Sequence, residues 1–226
     1  MGLVTFYCPL AGGDTRAGGN EMPDKLRGLY VIIDPAVAPG RDELEIARAA
    51  LDGGARLIQL RDKTREKGLL LPVTEALQAL CRERGALFIV NDHVDLALAV
   101  GADGVHVGQK DLPVAAVRRL APEMVIGCST NNAEEARGAE ADGADYVSVG
   151  RLFPTGSKDD TRPATTKTLR AVKAAVSLPV CAIGGINESN IDDVLAAGAE
   201  MAAVIAAVIA APDVAAAARR LASRFI

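Results

Sequence analysis

Short apolar runs alternate with longer amphipathic stretches over most of this chain. Most of the runs are four or five residues long and show no alternation of apolar and polar positions, which is typical of strands covered on both faces. They predict eight strands, at residues 29–33, 57–60, 87–90, 104–107, 124–127, 146–149, 180–183 and 202–205.

The stretches between these runs predict helices with glycine at their ends. Residues 41–51 precede Gly53-Gly54, residues 73–84 precede Gly85, and residues 190–197 precede Gly198, as helix stops often do. Strict alternation of strand and helix with short loops predicts a parallel sheet with right-handed crossovers. Eight repeats favour an α/β fold closed into a (β/α)8 TIM barrel. An open dinucleotide-binding sheet would need Gly-x-Gly-x-x-Gly after its first strand, and residues 33–37 do not contain it.

The first residues differ from the rest of the chain. Residues 1–25 contain glycine-rich segments without periodicity, so we predict a flexible N-terminal extension. Residues 26–226 then form one catalytic TIM-barrel domain, close to the usual size of about 250 residues.

Composition narrows the functional classes. Half of the 226 residues are hydrophobic and 3% are aromatic, so we expect a core of Ala, Val, Ile and Leu. A net charge of −4 argues against general nucleic-acid binding, and no apolar run approaches the ~20 residues of a membrane span. Four separated cysteines and no signal-peptide pattern predict a reduced, cytoplasmic protein. A homo-oligomer stays open.

Polar residues follow several predicted strands, where barrel enzymes assemble their sites. Gln59, Arg61 and Lys63 occupy alternate positions at the end of the second strand, so they should point together. They suit a clamp for a pyrophosphate or carboxylate. The alternative is a solvated loop with a salt bridge to Asp62 or another carboxylate.

Carboxylates follow the third and fourth strands. Asn91 or Asp92 alone could simply cap the next helix, but Asp92 and Asp111 on adjacent strand ends could share one Mg2+. His106 lies within the fourth strand and is either a hydrogen-bonded core residue or a general acid.

Two later segments suit phosphate binding. Thr155, Ser157 and Lys158 lie in the longest internal loop, which is either a lid or an exposed turn. Gly184-Gly185 after the seventh strand and small residues after the eighth lie where barrels often hold a phosphate through backbone N–H groups.

Six motifs together resemble the thiamine-phosphate synthase family. They occur in the family's order from about residue 29 to the end: Gln59-Leu60-Arg61-Asp62-Lys63, Val90-Asn91-Asp92, Gly104-Val105-His106-Val107-Gly108-Gln109-x-Asp111, Gly127-x-Ser129-Thr130, Phe153-Pro154-Thr155-x-Ser157-Lys158 and Ala182-Ile183-Gly184-Gly185-Ile186.

The resemblance implies a Mg2+-assisted transferase of thiamine biosynthesis acting on two small molecules. It would condense 4-amino-2-methyl-5-hydroxymethylpyrimidine pyrophosphate with 4-methyl-5-(2-phosphoethyl)thiazole, or its carboxylated form, by dissociative displacement of pyrophosphate. Arg61, Lys63, Ser129 and Lys158 would be catalytic, and Asp92 and Asp111 would hold Mg2+. The residues implied in substrate binding are Gln59, Leu60, Arg61, Asp62, Lys63, Asn91, Ser129, Thr155, Gly156, Ser157, Lys158, Gly185, Ile205 and Ala206.

Three positions depart from the family's pattern. Ser157 replaces a usual Thr, Ala206 replaces a usual Ser, and residues 159–163 lack the usual glycine. We therefore expect weaker thiazole-phosphate binding with activity retained.

Three other functions compete with synthesis. A thiazole tautomerase-like or regulatory homologue would lack the complete set of cations and carboxylates. Sugar-phosphate epimerases and isomerases share the glycine phosphate site but not the Gln-x-Arg-x-Lys and Asn-Asp motifs. A non-catalytic binding protein is disfavoured by the low aromatic content.

Overall fold

A closed barrel of eight parallel strands forms the centre of the molecule, which confirms the predicted (β/α)8 TIM fold. The computed structural model describes residues 26–154 and 163–225. Neighbouring strands pair in chain order, and the eighth closes the barrel against the first. The strands are β1 (Gly28–Ile33), β2 (Leu57–Leu60), β3 (Leu87–Asn91), β4 (Gly104–Val107), β5 (Val125–Thr130), β6 (Tyr146–Val149), β7 (Val180–Ile183) and β8 (Met201–Val204).

Helices cover the outside of the barrel. Within the described ranges they are α1 (Glu43–Asp52), α2 (Lys67–Arg84), α3 (Val94–Val100), α4 (Val114–Leu120), α5 (Ala133–Ala141), α6 (Thr166–Lys173), α7 (Ile191–Ala196), α8 (Ala206–Ile209) and α9 (Val214–Ala222). Every residue of β1 and β2 is buried, because helices cover one face of each strand and the packed lumen covers the other. In the same part of the chain, no helix has the length and apolar composition needed to cross a bilayer.

Two helix starts differ from the prediction by more than one residue. Helix α1 begins at Glu43 because the Asp42 carboxylate accepts the Glu45 N–H at 2.9 Å and caps the first turn. Helix α2 begins at Lys67, six residues before the predicted start, and continues through Pro72. Its buried face begins at Leu70, so packing on the barrel outweighs the hydrogen bond that the proline removes.

Several strand bounds differ from the prediction by one residue, and the end of β5 differs by more. Strand β5 extends to Thr130 instead of ending at Gly127, so Ser129 lies inside a strand and not in the loop after it. Ser129 is paired with Ser148 and Thr130 with Val149 of β6. The apolar pattern stopped at Gly127 because the lumen accepts polar side chains near the carboxyl ends of the strands.

Candidate active site

Charged side chains meet at the carboxyl ends of β1 to β4, and we call Asp34, Arg61, Lys63, Asp92 and Asp111 the rim cluster. Arg61 donates through Nη1 to Asp34 Oδ2. Asp34 is 3% exposed and also accepts the Ala36 N–H at 3.1 Å. Arg61 is thus held at the mouth by a carboxylate other than Asp62, and its contact with substrate stays a prediction.

Asp62 organises the loop after β2. Its carboxylate accepts the backbone N–H groups of Thr64 at 2.7 Å and Arg65 at 3.0 Å, and it also accepts Arg65 Nε at 2.5 Å. Arg65 also forms an ion pair with Glu43 at the start of α1. Burial alone would raise the pKa of Asp62, but the hydrogen bonds from Thr64 and Arg65 hold that pKa well below its usual range. The contact between Asp62 and substrate stays a prediction.

Lys63 and Asp92 form the second ion pair of the rim cluster. Lys63 Nζ lies 2.9 Å from Asp92 Oδ2. Asp92 has a left-handed backbone with φ of 62°, which Asp tolerates better than most residues, and its N–H donates to the His106 carbonyl at 2.8 Å. The first turn of α3 is preceded by His93 and receives no side-chain cap. Capping of that helix by Asn91 or Asp92 is therefore wrong.

Asp111 completes a pair of carboxylates with Asp92. Burial raises the pKa of Asp92, Lys63 opposes that rise, and the charge of Asp111 adds to it, so that the pKa stands above its ordinary value. Asp111 Oδ2 is held by the Gly108 N–H at 2.8 Å. Two adjacent carboxylates that repel each other fit a divalent cation.

The donor set suits a hard divalent cation such as Mg2+. Across residues 26–154 and 163–225, no group of three or more His, Cys, Asp or Glu could hold a metal. Mg2+ commonly takes one or two carboxylates and completes its shell with water and substrate phosphate. The residues present fit that ion.

A second group of polar side chains crosses the interior of the barrel, and we call it the lumen chain. Gln59 Nε2 donates to Tyr30 OH at 2.6 Å, and Tyr30 OH lies 3.1 Å from Tyr146 OH. Tyr146 OH lies 3.0 Å from His106 Nδ1, and His106 Nε2 lies 2.9 Å from Ser129 Oγ. Because β1 and β6 are not neighbours in the barrel, the contact between the two tyrosines spans the lumen.

Sequence reasoning missed the two tyrosines of the lumen chain. Tyr30 and Tyr146 lie in predicted strands and are among the largest fully buried side chains, although the core was expected to be aliphatic. Both faces of these strands are buried, so the strand pattern alone does not separate lumen-facing positions from those under the helices. A tyrosine within a buried strand was the one available sign of the lumen chain, because a buried phenol hydroxyl needs a hydrogen-bond partner.

Gly127 makes room for the lumen chain. A Cβ atom at this position would lie 2.5 Å from His106 Nδ1 and closer still to the ring and hydroxyl of Tyr146. Gly127 is paired with His106 on one side and with Tyr146 on the other. Glycine therefore lets the two side chains meet above β5.

The glycines after β7 contact the backbone of the loop that follows β6. Gly184 accepts the Phe153 N–H at 3.0 Å. Gly185 has φ of 65°, and a Cβ there would lie 2.6 Å from the Pro154 carbonyl oxygen. Close backbone approach thus requires glycine at 185. Phosphate binding at Gly185 stays a prediction.

The remaining predicted contacts lie at the end of β8 or outside the described residues. Ile205 is buried and precedes α8, whose first residue is the exposed Ala206. No side chain caps the first turn of α8. Arg41 holds the other end through 2.8 Å hydrogen bonds to the carbonyls of Ile209 and Ala211. Thr155, Gly156, Ser157 and Lys158 lie outside the described residues.

Comparison with known proteins gives one consistent family. The family described as "Thiamine monophosphate synthase" matches residues 29–208. A thiamine-phosphate synthase of Methanospirillum hungatei is 51% identical over 201 residues, covering 88% of this chain and 98% of that protein. One of Moorella thermoacetica is 52% identical over 195 residues, covering 85% and 93%.

Solved structures agree with the sequence relatives. A thiamine phosphate pyrophosphorylase from Pyrococcus furiosus superposes with a TM-score of 0.82 at 43% identity, covering 88% of this chain and 95% of that one. A 3-hexulose-6-phosphate synthase gives a TM-score of 0.67 at 22% identity, which supports the barrel fold alone.

Proposed function

The chain belongs to the thiamine monophosphate synthase family, and from that membership we propose how its barrel mouth carries out the family's reaction. The protein is a transferase of thiamine biosynthesis that forms thiamine phosphate. Its proposed substrates are 4-amino-2-methyl-5-hydroxymethylpyrimidine pyrophosphate and 4-methyl-5-(2-phosphoethyl)thiazole, or the carboxylated form of the thiazole. The products are thiamine phosphate and pyrophosphate.

The proposed reaction starts with ionisation of the pyrimidine substrate. The bond between the exocyclic carbon and the pyrophosphate oxygen breaks, because the electron-rich ring stabilises the cation. The thiazole nitrogen then donates its electron pair to that carbon. Such a reaction needs charge stabilisation and alignment more than it needs a base.

The rim cluster supports this mechanism because it joins two cations to three carboxylates at one mouth. Arg61, paired with Asp34, and Lys63, paired with Asp92 at 2.9 Å, would receive the leaving pyrophosphate. Asp92 and Asp111 would hold Mg2+, which neutralises charge on phosphate oxygens when it is bound. The observation that carries the proposal is the contact between Lys63 and the Asp92–Asp111 pair.

The lumen chain and the later strands complete the proposed site. Gln59 and Asn91 would contact the pyrimidine substrate, and Ser129 and Lys158 the pyrophosphate. Thr155 and Ser157 would contact the thiazole phosphate, which would rest on backbone N–H groups at Gly185, Ile205 and Ala206. The cytoplasmic location and the N-terminal extension stay predictions, and the oligomeric state stays open.

The decisive experiment is an assay of pyrophosphate release. Purified protein receives both substrates and Mg2+, and parallel samples lack the thiazole or contain EDTA. We expect release only with both substrates and metal, and recovery when Mg2+ is restored. Release without thiazole, or none from folded protein, would contradict the proposal.

A matched pair of lysine variants tests the role of the rim cluster. Lys63→Met should lower kcat strongly because the leaving group loses a cation. Lys173→Met removes a lysine that pairs with Glu200 beside the start of β8, and it should leave kcat unchanged. Equal effects of the two substitutions would count against a local role for Lys63.

A further inference from the structure

The side-chain amide of Gln59, at one end of the lumen chain, sets which group donates and which accepts in each of the following hydrogen bonds. Gln59 Nε2 can only donate, so Tyr30 OH accepts from it at 2.6 Å. A phenol has one proton, and that of Tyr30 is then directed to Tyr146 OH, 3.1 Å away. Tyr146 therefore directs its own proton to His106 Nδ1 at 3.0 Å.

The direction fixes the tautomer of His106 and the role of Ser129. A neutral imidazole that accepts at Nδ1 carries its proton on Nε2. That Nε2–H donates to Ser129 Oγ at 2.9 Å. The Ser129 hydroxyl proton is then directed away from His106 and is available to an acceptor at the barrel mouth.

We propose that Tyr30 and Tyr146 are positioning residues that hold His106 in its Nε2–H tautomer and so turn the Ser129 hydroxyl into a donor toward the pyrophosphate of the substrate. This inference rests on the proposed function for the identity of the acceptor. The direction of the chain rests on the amide nitrogen of Gln59, rather than its oxygen, facing Tyr30.

Burial and packing keep the proposed arrangement in place. Tyr30 and Tyr146 are 1% and 0% exposed. Burial raises the pKa of both phenols far above neutrality, so each keeps its single proton. The rings of His106 and Tyr146 lie 5.6 Å apart at 30°, in the space that Gly127 leaves.

The opposite direction makes an opposite prediction for Ser129. If Gln59 turned its carbonyl oxygen to Tyr30, each phenol would donate backwards and His106 would carry its proton on Nδ1. Ser129 would then donate to His106 Nε2, in the arrangement of a serine activated by a base. The tautomer of His106 therefore shows which role Ser129 has. With the proton on Nε2 the Ser129 hydroxyl donates to the substrate, and with the proton on Nδ1 it donates to His106, as in a serine activated by a base.

Nitrogen NMR of protein with 15N-labelled histidine measures that tautomer directly. The chain has two histidines, so the variant His93→Gln assigns the signals of His106. We expect His106 to carry its proton on Nε2 and none on Nδ1. A proton on Nδ1, or on both nitrogens, would overturn the proposal whether or not Tyr146 can be substituted.

Tyr146→Phe tests the consequence for catalysis because it removes one hydroxyl and keeps the ring. We expect a mixture of His106 tautomers and about a tenfold loss of kcat/KM for the pyrimidine pyrophosphate, with KM for the thiazole phosphate unchanged. Thr74→Val is the control, since Thr74 is a buried hydroxyl bonded to the Leu70 carbonyl within α2. It should change neither the tautomer nor the kinetics.

The two measurements separate the possible failures. Wild-type protein that carries the Nε2–H tautomer but releases no pyrophosphate contradicts the proposed function and leaves the direction of the chain intact. An active protein with the Nδ1–H tautomer contradicts this inference alone. Unchanged kinetics in Tyr146→Phe, with a changed tautomer, would show that the positioning does not serve the reaction.

Discussion

The rim cluster follows β1 to β4, the lumen chain crosses the barrel from β1 and β2 to β4, β5 and β6, and the two groups use different physical means. The rim cluster is made of ion pairs, and the side chain of Lys63 is 55% exposed. The lumen chain is made of amide, hydroxyl and imidazole groups, with Tyr30 and Tyr146 almost fully buried. Charge near solvent can change partners when a ligand arrives, whereas a buried neutral network keeps each partner fixed.

This difference predicts how substitutions should separate activity from stability. Ion pairs near the surface contribute about 0–1 kcal/mol to the free energy of unfolding, so changes at the exposed Lys63 and its partner Asp92 should affect catalysis far more than folding. A buried group that loses its hydrogen-bond partner costs about 1–3 kcal/mol. Changes in the lumen chain should therefore affect both.

The largest effect is expected at Asp92, in the rim cluster. Asp92→Asn should lower kcat/KM about 100-fold or more, because one ligand of the proposed Mg2+ loses its charge. Burial and Asp111 raise the pKa of Asp92 against the effect of Lys63, so the folded protein binds a proton there more readily than the unfolded chain. Its charged form thus lowers stability at neutral pH, and the variant should be at least as stable as the wild type without metal.

Steady-state kinetics over a range of Mg2+ concentrations and thermal unfolding in EDTA measure these two effects. Asp95→Asn is the matched control, since Asp95 is an exposed carboxylate that pairs with Lys67 at 2.8 Å. Loss of stability in Asp92→Asn, or equal loss of activity in the control, would contradict the prediction that the rim cluster serves catalysis more than folding.

The next largest effect is expected at Gly127, beneath the lumen chain. Gly127→Ala would place a Cβ 2.5 Å from His106 Nδ1 and closer to Tyr146. Forcing a side chain into a packed core typically costs about 1–3 kcal/mol, and here it also separates the two hydrogen-bonding partners. Both activity and the free energy of unfolding should fall.

Denaturant unfolding of Gly127→Ala should be compared with that of Gly138→Ala. Gly138 lies in α5, and a Cβ atom at this position would have nothing within 4 Å, so alanine there should stabilise the helix by up to about 1 kcal/mol. A stable and fully active Gly127→Ala protein would mean that the lumen tolerates far more rearrangement than its packing implies.

The sequence predicted most residues of the rim cluster but not the two tyrosines of the lumen chain, and the difference has a physical reason. Arg61, Lys63, Asp92 and Asp111 follow apolar runs, and the barrel fold brings such strand ends together. Tyr30 and Tyr146 lie within apolar runs, where their partners depend on which residues face each other across the barrel. The ion pair between Arg61 and Asp34 depends on the same three-dimensional register.

A smaller effect is expected at Asp62, a buried charge beside the rim cluster that serves the loop. Hydrogen bonds from Thr64 and Arg65 lower the pKa of Asp62 against the effect of burial, so its charged form stabilises the fold above the ordinary carboxyl pKa of 3.8. Asp62→Asn should cost about 1–3 kcal/mol at pH 7, and the difference from wild type should shrink as the pH falls below that value.

Urea unfolding at several pH values measures this dependence. Asp52→Asn serves as the control, because Asp52 is a half-exposed partner of Arg84 on the surface, and its loss should cost under about 1 kcal/mol. A constant difference between Asp62→Asn and wild type across the acid range would contradict the stabilising role of the charge.

The smallest effect is expected at Ala206, far along the chain from the rim cluster. Ala206 is exposed at the first turn of α8, where no side chain caps the helix. Ala206→Ser would add a hydroxyl beside the backbone N–H groups proposed to hold the thiazole phosphate, and one added hydrogen bond at an exposed position typically contributes about 0.5–1.5 kcal/mol. KM for the thiazole phosphate should fall several-fold, with kcat unchanged.

Ala210→Ser, at the other end of α8, should leave KM unchanged, and an unaltered KM in Ala206→Ser would refute the weakened phosphate site. Because this site would hold a substrate through backbone groups, without the charges of the rim cluster, its contribution should appear in KM and not in kcat.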